Sequence, residues 1–116
     1  MGKKYRMPGY IGVDFDKTLA TYDKWVSPTT LGEPIPLMVN RVKKWLSEGK
    51  RVKIFTARVA PDHSREEIEL GERAIKDWCI KYIGKELDVT AIKYSAMYEL
   101  WDDKAVGLTP NTGEIR

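Results

Sequence analysis

An apolar run, Tyr10-Ile11-Gly12-Val13, passes directly into Asp14-Phe15-Asp16. A strand that delivers two carboxylates at its end constrains this chain more than any other stretch. Buried strands do not end in paired acids for packing reasons. Two such charges repel, so a cation between them, or a proton on one of them, is required. Open α/β sheets place their active sites at the carboxyl ends of their strands.

The rest of the chain has the pattern of such a sheet. Residues 20–34 are rich in Thr, Asp, Ser, Gly and Pro, carry Tyr22 and Trp25, and read as a loop or small hairpin flap. Ile35, Val39, Val42 and Leu46 recur at helical spacing, with Pro36 in the first turn and Gly49 as the stop. Arg51–Thr56 reads as a second strand. Ser64-Arg65-Glu66-Glu67 fits a capping box for a second helix, whose inner stripe is Ile68, Gly71, Ile75, Trp78 and Tyr82. Residues 88–92 read as a third strand, 98–101 as a fourth ending in Asp102-Asp103, and 105–108 as a fifth before a turn at 110–113. Strands alternating with helical stretches imply right-handed crossovers and a parallel sheet, so the fold class is α/β.

Composition removes several functions. The length, 116 residues, suits one domain, and we read residues 1–116 as a single unit. One cysteine, Cys79, excludes an internal disulfide framework and a thiolate metal cluster, and one histidine, His63, excludes a multi-histidine zinc site. No apolar run approaches the roughly 20 residues of a membrane span. Met1-Gly2-Lys3-Lys4 lacks the apolar stretch of a signal peptide, and Arg6 stands where a myristoylation signal after Gly2 needs Ser or Thr. The expectation is a cytoplasmic protein without membrane contact. A net charge of +3 is compatible with anionic substrates and well short of a dedicated nucleic-acid binder.

Four chemistry-bearing signals fall at or just beyond expected strand ends: Asp14 and Asp16, then Thr56, then Lys93, then Asp102-Asp103. In a parallel sheet these ends share one edge, so residues distant in sequence converge. Each signal alone is weak, and the ordered set is specific. That order resembles the haloacid dehalogenase superfamily of aspartate-nucleophile phosphatases and phosphotransferases. Asp14-Phe15-Asp16-Lys17-Thr18-Leu19 is similar to its first motif and Ile54-Phe55-Thr56-Ala57-Arg58 to its second. Lys93 stands for the third, and Trp101-Asp102-Asp103 for the fourth. The resemblance spans residues 10–108. It implies a Rossmann-like three-layer α/β/α sandwich of about five strands in the order 3-2-1-4-5.

The resemblance also implies roles. Asp14 would be the nucleophile, forming an acyl phosphate. Asp16 would protonate the leaving oxygen and later deprotonate water. Mg²⁺ would be held by Asp14, Asp102 and Asp103 with the Asp16 carbonyl, since this ion takes a few hard oxygen ligands and keeps waters. Thr56 and Lys93 would contact phosphoryl oxygens, with Lys81, Lys85 and Lys104 as competitors for the lysine. Arg58 is a candidate phosphate clamp, and Lys17, where many relatives have glycine, adds positive charge. His63 reads as part of a helix cap and Cys79 as core. Trp25 and Tyr22 either contact substrate or pack locally.

Two rival readings share parts of this residue set. A receiver-type signalling domain uses a similar set, but its acidic pair comes first and its phosphorylated aspartate after the third strand, which this order contradicts. A non-catalytic member of the same fold predicts loss of the acids, and none is lost. Neither interval between motifs holds a folded cap. Capless relatives act on large substrates or close their sites by forming homo-oligomers. The expected substrate is a phosphorylated compound of open identity, with a nucleotide or a nucleic-acid end as the alternative to a small metabolite.

Overall fold

The computed structural model describes residues 9–116. The readings made on Met1–Lys4, Gly2 and Arg6 lie outside the described residues.

Strand β1 (Tyr10–Val13) leads through the flap to helix α1 (Pro36–Ser47), then β2 (Val52–Phe55), a single 3-10 turn (Ala57–Val59), helix α2 (Arg65–Tyr82), β3 (Asp88–Thr90) and β4 (Met97–Trp101). All pairings are parallel and the strand order is β3-β2-β1-β4. The chain is therefore α/β with a four-stranded parallel sheet. Ile11 pairs with Val52 and Val13 with Ile54, so these four side chains share one face.

Both helices cover that face. Val39 and Val42 of α1 and Ile75 and Cys79 of α2 belong to one core cluster with Ile11, Val13, Val52 and Ile54. Two right-handed crossovers stepping in the same direction leave both helices on the same side. Cys79 is fully buried, and burial pushes its thiol up to about 12, so it packs as a small neutral hydrophobe. The α2 capping box forms as its sequence predicts: Glu67 N–H donates to Ser64 Oγ at 3.1 Å and Ser64 N–H to Glu67 Oε1 at 3.0 Å. Gly49 and Gly84, at φ 82° and 92°, end the two helices in the left-handed conformation that glycine adopts freely. No helix of the described residues is long and apolar enough to cross a membrane.

Two expectations about the sheet are corrected. The opposite face has no helical layer among the described residues, so the three-layer sandwich is two layers here. The connection from β3 to β4 is only residues 91–96, too short for a crossover helix, which needs about 10–12 residues. It crosses the sheet as irregular chain, and Lys53 Nζ lies over the rings of Tyr10 and Tyr94 at 4.6 and 5.1 Å. The fifth strand is also absent from the sheet. Residues 105–108 are exposed, and Leu108 forms an antiparallel bridge with Ile115 across the turn at 110–113. The chain there pairs with its own continuation instead of extending β4.

The flap is a bracket closed by the chain on itself. Ala20 bridges Pro34, Thr21 N–H donates to Glu33 O at 2.8 Å, and Ile35 N–H donates to Leu19 O at 2.8 Å. Trp78 of α2 donates its indole N–H to Gly32 O at 2.9 Å, which ties the bracket to the core.

Candidate active site

The parallel topology brings the ends of β1, β2 and β4 to one edge of the sheet. A cleft of about 280 Å³ lies there, lined by Asp14, Asp16, Thr56, Arg58 and Asp103 among others. Asp14 follows β1 directly, and its N–H donates to Trp101 O at 2.9 Å, so the β1 and β4 ends are held in register. Asp102 and Asp103 follow β4. One carboxylate oxygen from each of Asp14, Asp102 and Asp103 lies within 4.8 Å of the others. Thr18 Oγ1 donates to Asp14 Oδ2 at 3.3 Å.

The electrostatics of this trio disfavour a charge on Asp14. Burial pushes the Asp14 carboxyl up to about 7, and hydrogen bonds to Asp102 and Asp103 push in the same direction. Asp103 is held below its ordinary value, first by its hydrogen bond with Asp14. Burial and the neighbouring acids thus favour the protonated form of Asp14. A divalent cation would take that proton's place. An all-oxygen donor set of carboxylates fits a hard ion such as Mg²⁺ and not a thiophilic one. The Asp16 carboxylate is not part of the trio.

Thr56 is buried at the end of β2, where its N–H donates to Thr90 O at 2.9 Å. Its hydroxyl oxygen accepts from Arg58 N–H at 3.2 Å, which leaves the hydroxyl proton free to point into the cleft.

Arg58 differs most from its sequence reading. It is 5% exposed, and its guanidinium forks onto Asp16, Nε to Oδ2 at 2.7 Å and Nη2 to Oδ1 at 3.0 Å. Nη1 and Nη2 also donate to the flap carbonyls of Ser27 and Thr30 at 3.4 and 3.3 Å. A guanidinium has five N–H donors, and these contacts use four, which leaves little for a substrate phosphate. The sequence shows a cation two residues past Thr56 and does not show how deeply it is buried.

Lys93 is exposed on the β3–β4 connection and does not line the cleft. The expected third strand reaches residue 92, whereas β3 stops at Thr90, and the connection then turns away across the open face of the sheet. Lys104, one of the competing lysines, lines the cleft together with Lys17. Lys17 adopts φ 69°, the left-handed conformation that explains why glycine suits this position, and its Nζ lies 5.9 Å from the Tyr22 ring centroid. Tyr22, Trp25 and His63 complete the wall. His63 stacks on Trp25 at 5.5 Å, a contact that neither residue's sequence neighbourhood signals.

No family model matches this chain. No curated protein matches it either. Among solved structures, a conserved protein from Bacteroides thetaiotaomicron is similar, with a TM-score of 0.57 and 23% identity over 90% of this chain and 84% of that one. At that identity the likeness speaks for the fold alone.

Proposed function

We propose that this chain is a Mg²⁺-dependent phosphomonoester hydrolase of the haloacid dehalogenase type, with Asp14 as nucleophile and Asp16 as general acid and base. One observation carries the reading: three carboxylates from two strand ends, Asp14, Asp102 and Asp103, bring oxygens within 4.8 Å of each other. A proton on Asp14 is the alternative to a cation there, and a buried hydroxyl with a free proton, Thr56, lines the same cleft.

In this reading an Asp14 oxygen attacks phosphorus as the bond to the leaving oxygen breaks, and Asp16 gives that oxygen its proton. Water then attacks phosphorus, its proton goes to Asp16, and the bond to Asp14 breaks. Phosphate leaves, and both aspartates return to their starting states. Thr56 donates to a phosphoryl oxygen, and Lys17 and Lys104 supply positive charge at the rim. The ion, held by Asp14, Asp102 and Asp103, would neutralise charge between the carboxylates and the dianionic ester.

The flap covers one side of the cleft and leaves it open to large substrates. The aromatic wall of Tyr22 and Trp25 beside the two lysines favours a nucleotide or nucleic-acid end over a small sugar phosphate. A cytoplasmic setting belongs to the same proposal.

Release of inorganic phosphate from an aryl phosphate with Mg²⁺ tests the proposal, followed by a panel of sugar phosphates, nucleotides and phosphorylated oligonucleotides. Turnover that vanishes in Asp14→Asn and with chelator is expected. No release with any substrate, or equal release from Asp14→Asn, would sink it.

A further inference from the structure

Arg58 and Thr56 are the buried polar residues among the described residues. Burying a guanidinium is costly unless nearly every donor is matched. The match here is unusual in what it joins. One edge of the Arg58 fork holds both oxygens of Asp16. The remaining contacts hold the flap, through the Ser27 and Thr30 carbonyls and through the Trp25 ring 5.0 Å from the guanidinium carbon. The Tyr22 ring lies at 5.9 Å. The side-chain hydrogen bonds of Asp16 go to Arg58.

We propose that Arg58 is a positioning residue, a strut that makes the orientation of Asp16 and the closure of the flap a single event, and that it is not a phosphate clamp. The catalytic half of this inference rests on the role given to Asp16 above. An ionised carboxylate has about four acceptor directions, and the fork occupies two of them. It therefore fixes the carboxylate plane and leaves one direction on each oxygen, where the proton that Asp16 gives to the leaving oxygen and later takes from water would sit. A flap that swings out withdraws the carbonyls and ring that hold the guanidinium and loosens Asp16. Lysine has no fork and cannot replace arginine here.

Two readouts separate this from a merely structural role. The first needs no activity: trypsin cleavage after Lys24, an exposed flap residue. Arg58→Gln and Arg58→Lys are expected to be cut at least tenfold faster than the parent. Asp16→Asn should also be cut faster, although its side chain acts on the flap only through Arg58. Asp16→Asn keeps the size of the side chain and one acceptor oxygen for the Arg58 fork, so it keeps the test decisive if a position-58 variant fails to fold. The second readout is the leaving group. Arg58→Gln should lose at least tenfold more kcat/KM on an alkyl phosphate, whose leaving oxygen needs a proton, than on nitrophenyl phosphate, whose does not. Asp16→Asn should show the same split, and Arg58→Lys should not restore it.

Unchanged cleavage after Lys24 in all three variants would overturn the strut. A loss that is equal on both esters and confined to KM would make Arg58 a phosphate clamp after all. Inactivity of the parent chain on both esters, with cleavage still accelerated, would overturn the hydrolase reading and the acid/base half while supporting the strut itself.

Discussion

Asp14 is buried enough to resist ionisation and surrounded by acids that add to the effect. Its carboxyl moves from 3.8 to about 7. A raised carboxyl means the folded chain binds more protons than the unfolded one across that window, so stability falls as pH rises through it. Thermal midpoints of the ion-free protein are expected to drop between about pH 4 and about pH 7 and then to level. A divalent cation needs Asp14 ionised, so its stabilisation should be small at the acid end and largest above about pH 7. Asp14→Asn should remove both the slope and the cation response; a slope that survives this substitution would assign it to another group. Lys17 gives a second prediction at this scale. Its left-handed conformation costs about 1 kcal/mol, but glycine there would free the unfolded chain by about 0.4–1 kcal/mol. Lys17→Gly should therefore change stability by less than about 0.5 kcal/mol while raising KM for an anionic substrate. A large loss of stability would mean that the Lys17 contact with the Tyr22 ring contributes more than the backbone argument allows.

Among the elements, the flap depends on one close approach. A Cβ on Gly32 would overlap the Thr21 carbonyl across the bracket. Gly32→Ala should therefore spread the flap, by about 1–3 kcal/mol of overpacking cost, and weaken the Trp78 bond to the Gly32 carbonyl. Indole fluorescence and tryptic cleavage in the flap would register it, and a variant matching the parent in both would contradict this geometry. At α2, Ser64→Ala removes one side of a reciprocal cap and should cost about 1 kcal/mol in chemical denaturation. That cap shows what sequence makes legible. Ser64, Glu67 and the stripe Gly71, Ile75 and Trp78 specify a helix start and a buried face from local chemistry, and the structure has both. That Asp14, Asp16, Thr56 and Asp103 line one cleft was legible for a similar reason, because each sits at or just past a strand end. Residues 105–108 were not, since a short apolar run has the same pattern whether it joins a sheet or folds onto its own continuation. Lys93 depended on how far β3 extends, and strand ends shift by a residue or two with the pairing partner. The burial of Arg58 has no local signature, because its partners are 28 to 42 residues away.

The whole molecule is assembled from pairings of unequal reach. β1 meets β2 across the flap and α1, whereas Gly12 meets Leu100, a separation of about 90 residues that costs roughly 0.6 kcal/mol more loop entropy per doubling. The last strand is also one of the two edge strands, bonded to β1 alone. Amides of residues 97–101 are expected to exchange with solvent faster than those of β1 and β2, measured by native-state hydrogen exchange. Equal protection across the four strands would contradict this order. The carboxylate trio spans the β1–β4 seam, with Asp14 on the inner side and Asp102 and Asp103 on the outer. The carboxylate grouping is therefore complete only while β4 is docked, and a bound ion would act as a clasp between β1 and this edge strand. An ion there should slow exchange in β4 selectively, so a chain depleted of divalent cations would open at this edge, and part its three carboxylates, before it unfolds as a whole.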